Sequence, residues 1–375
     1  MKKLIAVVLT GLLFCSCIKE EPLNAECDIE KAWVSSDNPT ALFANNSDSL
    51  VTVLSTDTAI TFTVLGNADI SALRVFFQTT PGATIYPANG SVQDFSRGGV
   101  TYTLTSEDGQ YQRRYEVRFS PRNLSIPNTL ELDFEHFRLN SNGNYYEWYE
   151  VLGGQEVPFW GTANAGYGLT NSTAQPNEYP TVPLAEGHSG YGIDLVTLST
   201  GAFGTMVGRP LAGGNLFIGS FDLGPALTNT LKCTLFGYDF DKKPTHVSGY
   251  YKYAPGAVVT DSQGQEVAGA TDAGVFTVIF YKNHDEAGNR IILYGDDFET
   301  SPFIVARAKI NRINAASEWT RFDLDMVYEK EVDNEVLANW GYSFTISASS
   351  SVDASTYQGA VGSVLSLDEI RVICN

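Results

Sequence analysis

The chain has few of the parts that most enzymes need. Only four histidines occur in 375 residues, His136, His188, His246 and His284. None stands at HExxH or any other paired metal-ligand spacing. GxSxG, GxxxxGK and GxGxxG are all absent, which removes the sequence signals for a serine nucleophile elbow, a phosphate loop and a dinucleotide turn. Basic residues are scarce, 24 against 43 acidic ones, and the formal net charge is −19. Such a surface repels phosphate backbones, so nucleic acid is excluded as a partner, whereas neutral glycans and cations are tolerated. Cysteines number five, with no CxxC pattern. Cys27, Cys233 and Cys374 are widely spaced and are expected as buried free thiols rather than metal ligands or a disulfide. From Asn128 onward no amphipathic helical period stands out.

What is present is the material of β-sheets. Hydrophobic residues make up 43% and aromatic residues 12%, with 34 glycines. That mixture favours short strands punctuated by turns and is rich enough to build real cores. The length exceeds that of an ordinary single domain and points to two.

The first seventeen residues read as an export signal. Lys2-Lys3 are followed by an apolar run, Leu4 to Phe14, too short to span a bilayer. Leu13-Phe-Cys-Ser-Cys17 resembles the lipobox of bacterial lipoproteins, with small Ser16 before Cys17. The resemblance implies that Cys17 carries the lipid and anchors the chain to a membrane, an ordinary secretory signal being the alternative. The acidic pair Glu20-Glu21 just beyond it resembles the export signal of glycan-utilising Gram-negative bacteria. An outer-membrane lipid anchor at the cell surface is the localisation this implies. Residues 18–27 read as a tether.

From Asp28 to Arg122 short strands alternate with turns. Ile60 to Val64, Tyr102 to Leu104 and Tyr115 to Phe119 keep period two, and Asp108-Gly109 marks a hairpin. Residues 28–122 are thus expected to form a small two-sheet sandwich. Thr80-Pro-Gly-Ala-Thr-Ile-Tyr-Pro-Ala-Asn-Gly90 and Tyr102 to Gly109 resemble the immunoglobulin-like N-terminal modules of secreted bacterial glycan-binding lipoproteins. Pro121 to Pro127 reads as the boundary, a semi-rigid link.

Residues 128–375 show apolar strands at Leu216 to Ile218, Val275 to Tyr281, Ile291 to Tyr294 and Phe303 to Ala306. Tyr342, Phe344 and Ile346 alternate with small polar residues, one face for a core and one outside. The fold class is therefore all-β, an immunoglobulin-like β-sandwich followed by a larger β-jelly-roll sandwich. Tyr146-Glu-Trp148, Phe159-Trp-Gly-Thr-Ala-Asn-Ala-Gly166, Ala212 to Gly219, Tyr251-Lys-Tyr-Ala-Pro-Gly256 and Gly359 to Glu369 together resemble the putative carbohydrate metabolism domain family. The order of these motifs is also similar to that of jelly-roll carbohydrate-binding modules. Both resemblances imply a glycan context: a polysaccharide or oligosaccharide partner, and no organic cofactor.

Sugar rings present C–H faces that stack on aromatic rings, with amides and acids nearby for the hydroxyls. Trp148, Trp160, Asn164, Tyr146 and Trp340 are the glycan-contact candidates on that logic, core packing being the competing reading of each tryptophan. Trp33 reads as sandwich core or a boundary contact, and Trp319 as core. In a jelly roll the first and last strands lie side by side. Leu365 and Leu367 fall on odd positions but Ile370 and Val372 on even ones, so a bulge is expected at Asp368-Glu369. Oxygen ligands from both ends, Glu135 and Asp368, would then hold a structural Ca2+ of the kind the module resemblance implies. Glycan binding is the first functional reading. A glycoside hydrolase using paired acids among Glu147, Glu150, Glu156 and Asp194 is the second, and a surface adhesin or structural lipoprotein the third.

Overall fold

The computed structural model describes residues 22–375 apart from 44, 45, 56, 67, 123, 124, 141 and 227. Cys17, the expected lipid site, lies outside the described residues.

Period-two burial organises the N-terminal sandwich. Along Ala59–Leu65 the even positions Ile60, Phe62 and Val64 are buried, while Ala59 and Thr61 are exposed. One four-stranded sheet runs in the order Leu50–Thr52, Ile29–Val34, Leu73–Thr79, Val92–Gln93. The other runs Ala59–Leu65, Gln112–Arg122, Val100–Thr105, Thr84–Tyr86, its first pair parallel. Phe62, Phe77, Tyr102, Tyr115 and Phe119 fill the space between. The Asp108-Gly109 turn closes with Gly109 at φ +71°, a conformation that favours glycine. Trp33 is not in this core: it lies on the outer face, 37% exposed, its ring stacked 5.9 Å from Phe76.

The connection to the second sandwich is clamped at its end. Ser125 Oγ and the Ile126 N–H both donate to the Asp241 carboxylate, at 2.5 and 2.9 Å. Ile126 is itself buried in the second core.

That sandwich is a jelly roll of two facing sheets. The first runs Trp160–Gly161, Asn215–Phe221, Tyr342–Ser349, Gly274–Lys282, Ile304–Ile313, Val327–Tyr328. The second runs Thr181–Leu184, Gly192–Val196, Val364–Cys374, Pro244–Ala254, Ala316–Asp325. The first strand of the domain, Thr129–Leu132, pairs with the last, Ile370 opposite Leu132. Leu216, Ile218, Phe276, Phe280, Phe344 and Ile346 from one sheet meet Ile193, Val247, Leu365, Leu367 and Val372 from the other. Each such side chain contributes about 1.5–3 kcal/mol by leaving water.

The phase change in the last strand is a bulge. Ser248 pairs with Arg371 but Tyr250 with Asp368, and Glu369 sits at φ +47°. Two readings need correction. Ile291 to Tyr294 is not a strand: Leu293 makes one isolated bridge to Phe236 and packs into a second apolar cluster on the outer face of the first sheet. Three short helices, Asn164–Thr170, Gly201–Met206 and Asn334–Ala338, interrupt a stretch without visible helical period. The first two are only seven and six residues long and rich in glycine, too short to show one. Cys27, Cys233 and Cys374 are free and buried, as expected.

Candidate functional site

The tryptophans singled out in the sequence turn inward. Trp148 ends the strand Tyr146–Trp148, which pairs with Phe137–Leu139, and is 2% exposed. Trp160, opposite Ile218, is 7% exposed and lies against Phe134 and Phe159. Its Nε1–H donates to Glu150 Oε1 at 2.7 Å. Buried rings offer no free face for a sugar, so stacking on Trp148 and Trp160 is not what this arrangement provides. Tyr146 is half-buried with its ring edge-on to Phe137. Asn164 is fully buried: its Nδ2 donates to the Thr181 carbonyl and its Oδ1 accepts the Thr181 N–H, pinning the helix Asn164–Thr170 to a strand. Trp340 follows the helix Asn334–Ala338 at φ +53°, its Nε1 buried without a partner. Trp319 is not core either. It is half-buried, with the Lys252 ammonium 4.8 Å over its ring, and His188 stacks 3.7 Å from the neighbouring Tyr250. The Trp319 and Tyr250 rings therefore each have one face occupied while remaining half-buried.

Glu135 and Asp368 do converge, on the turn 187–191. Glu135 Oε1 accepts the Tyr191 N–H at 2.7 Å, and Asp368 Oδ2 accepts the Ser189 N–H at 2.9 Å. Gly190, at φ +62°, passes so close to Glu135 that a side chain there would collide with the carboxylate. Burial pushes the Asp368 carboxyl up, and its backbone bonds oppose that shift. Glu369 is engaged with His188 at 2.7 Å instead. The donors are hard oxygens of the type Ca2+ takes, but among the described residues no three His, Cys, Asp or Glu side chains are grouped so as to hold a metal ion by themselves.

A large concavity lies elsewhere, on the outer face of the first sheet, with a volume of about 590 Å³. Alternation builds its floor. Phe344, Ile346 and Ala348 point into the core, so Ser347 and Ser349 point out. Across the sheet Asn215 aligns with Ser349, and Ser349 with Val275. In the next row Phe217 aligns with Ser347, Ser347 with Thr277, and Thr277 with Lys309. The floor therefore runs across four strands, roughly 14 Å at the usual strand spacing. Phe217, Phe236, Ile279, Tyr281, Leu293 and Ile304 cover the rest of this face and bound the groove on one side.

The walls carry rings. Tyr167 comes from the first short helix, and Phe203, 49% exposed, from the second; Phe221, Phe298 and Tyr357 complete them. Tyr357 takes φ +58° at the end of a 3-10 turn, and its hydroxyl lies 2.7 Å from Thr230 Oγ1. The loop that carries it is fixed from beneath. Buried Asp272 accepts from Ser351 Oγ, Ser363 Oγ and the N–H groups of Ala360 and Ala273, at 2.6–2.8 Å. Thr197 Oγ1 ties in Ser350 and Ser351.

Two acids line the groove, Asp296 and Glu299, both from one loop. Each is ion-paired: Lys232 Nζ is 2.8 Å from Asp296, and Lys309 Nζ is 2.6 Å from Glu299. The carboxyls that burial pushes up, Glu147, Asp194 and Glu150 (to about 8), do not line it. Of the groove residues, the small polar face of Tyr342–Ser349, the strand positions Val275 and Thr277, and Ala163, Gly166, Ala212, Gly213 and Asn215 within the family-like motifs had a signal in the sequence, whereas the wall residues Phe203, Phe221, Phe298 and Tyr357 had none.

Residues 133–373 match the family model described as Putative carbohydrate metabolism domain, and residues 41–118 match that described as SGBP, N-terminal. Among solved structures, one described as a putative glycoside hydrolase from Bacteroides thetaiotaomicron is 35% identical, with a TM-score of 0.67, over 95% of this chain and 99% of that one. A second so described, from Bacteroides vulgatus, is 37% identical with a TM-score of 0.61 and covers 68% of this chain and all of that one. No curated protein matches.

Proposed function

Since the chain belongs to the Putative carbohydrate metabolism domain family, we propose that it binds a glycan in the groove across the first jelly-roll sheet, as a lipoprotein anchored through Cys17 at the outer-membrane surface. The observation that carries this reading is the groove itself: hydroxyl and amide side chains on three neighbouring strands, Asn215, Ser349, Ser347 and Thr277, between walls bearing Tyr167, Phe203 and Tyr357. Flat apolar rings suit sugar C–H faces, and the floor suits their hydroxyls. The match of residues 41–118 to SGBP, N-terminal supports a surface glycan-binding role, with that module as spacer.

Hydrolysis is the second reading, favoured by the description of the two solved relatives. A glycosidase sets two carboxyls on opposite sides of the scissile bond. Here both groove acids share one wall and each is held by a lysine, which suits binding better.

Titration of the purified protein with a panel of polysaccharides tests the proposal. Tyr357→Ala and Tyr167→Ala should each weaken the bound glycan about tenfold, as the loss of one stacking ring would, and shift Tm little. Unchanged affinity in both variants would remove the groove as the site. New reducing ends in the same incubations would establish the hydrolase instead.

A further inference from the structure

The floor of the groove leads to one short helix. In one row it passes from Lys309 through Thr277 to Ser347, and in the next from Val275 through Ser349 to Asn215. Asn215 is fastened to what lies beyond. Its Oδ1 accepts the Ala163 N–H, just ahead of the helix Asn164–Thr170, and its carbonyl accepts the Thr181 hydroxyl, both at 2.8 Å. Thr181 opens the strand Thr181–Leu184 and is itself bonded to Asn164. The edge of the floor, the helix and that strand therefore meet at one point.

A second concavity, of about 500 Å³, shares Tyr167 with the groove. Val182, Val196 and Leu198 give it apolar surface, and Asn171, Thr173 and Asn177 give it amides and a hydroxyl. Asn171 Nδ2 donates to Thr170 Oγ1 at 2.8 Å, whereas the side chains of exposed Thr173 and Asn177 make no hydrogen bond among the described residues. The helix between the two hollows is thin. A side chain on Gly166 would press on the Phe221 ring of the groove wall, at 3.3 Å, and one on Gly168 on the Tyr179 hydroxyl of the second concavity, at 3.2 Å. Between these glycines stands Tyr167, half-buried, its ring edge-on to Tyr179 at 5.6 Å. Apolar surface beside amides and hydroxyls repeats the chemistry of the groove and suits the C–H faces and hydroxyls of further sugars.

We propose that the glycan site continues past Tyr167 into this second concavity, and that its ligand is a polysaccharide chain held along its length, with sugars on both sides of the tyrosine. This rests on the groove being the glycan site. A chain that fills both hollows gives up its freedom of movement once, and its second set of contacts forms at a high effective concentration. A long chain therefore binds more tightly than a fragment that fills one hollow.

The test uses the full chain in solution with trisaccharides and octasaccharides cut from xylan, β-mannan, β-glucan and pectic galactan. Affinities are compared after correction for the number of registers that a longer chain offers. Wild type should bind at least one octasaccharide about tenfold more tightly than the trisaccharide of the same chain. Thr173→Ala combined with Asn177→Ala changes two exposed positions outside the groove lining. It should shrink that gain severalfold and leave trisaccharide affinity as in wild type. Tyr357→Ala, which touches the groove alone, should lower both affinities together and keep their ratio. Near-ultraviolet circular dichroism confirms that the variants are folded. Equal corrected affinities in wild type, or a Thr173→Ala, Asn177→Ala protein that keeps the full gain, overturns the proposal and leaves the groove standing as the glycan site. If none of the four polymers or their fragments binds, the groove reading and this extension fall together.

Discussion

Glu150 shows what an aromatic core does to an acid. It is 5% exposed, and burial raises its carboxyl to about 8, the Trp160 hydrogen bond opposing the shift. In the unfolded chain the same group ionises near 4.5. Between those values the unfolded state has lost the proton and the folded state still holds it, so the group's contribution to stability falls as pH rises from about 4.5 to about 8. Each tenfold difference in acidity is worth about 1.4 kcal/mol. Glu147, Asp194 and Asp368, also raised chiefly by burial, act in the same direction, so the comparison must be with a variant. Glu150→Gln keeps an acceptor for Trp160 Nε1 and has no proton to lose. Its Tm should match wild type near pH 5 and exceed it by several degrees at pH 8. Parallel curves across that range would show that Glu150 does not titrate as its burial implies. The tryptophan beside it explains a misreading: local neighbours such as Gly161 and Thr162 suggest access, but burial comes from Ile218 on the facing strand and from Phe134 beyond the first strand, distant in sequence, as well as from adjacent Phe159.

Two loops brace the last strand, one at its start and one at its mid-strand bulge. At one end Asp272 gathers four donors and fixes the 350–363 loop, on which Tyr357 stands. Asp272→Ala leaves those donors buried without an acceptor, at about 1–3 kcal/mol each if unrelieved. A loss of about 3 kcal/mol in urea unfolding should accompany weaker glycan binding, because the wall moves with the loop. Binding at wild-type affinity in the folded variant would separate Tyr357 from the site. At the bulge a structural Ca2+ on Glu135 and Asp368 is a proposal with two side-chain ligands, the remainder having to come from main-chain carbonyls of the 187–191 turn and water. Dialysis against EDTA should lower Tm by several degrees, and added Ca2+ should restore it. No change would leave the N–H bonds to Tyr191 and Ser189 as the whole clamp. Much of this element was legible in advance. The odd-to-even switch between Leu367 and Ile370 located the bulge, although the first strand proves to be Thr129–Leu132, ending before Phe134-Glu135. Asp272 was not legible, since a lone acid before Ala273 acquires its role only when residues 351, 360 and 363 fold around it.

At the scale of the whole molecule the two sandwiches have separate cores, one centred on Phe62 and Tyr102, the other on Phe276 and Phe344. Alternation along Tyr342–Ser349 revealed in the sequence that one sheet has a small polar outer face, but not that this face is a groove. Its walls come from residues 163–170, 200–236 and 295–300, and no local pattern brings such distant segments together. The groove lining spans 163–357 and includes nothing from the first sandwich. On the proposed reading the first module would act on glycan capture only through position, by setting the distance between an anchor at Cys17 and the groove. Deleting residues 28–122 from the soluble protein should leave affinity for the bound glycan within about twofold. Cells carrying the same deletion on the lipid-anchored chain should capture less polysaccharide from the medium, because the groove then sits close to the membrane. A tenfold loss of affinity in solution would place part of the binding surface on the first module and end its role as a spacer.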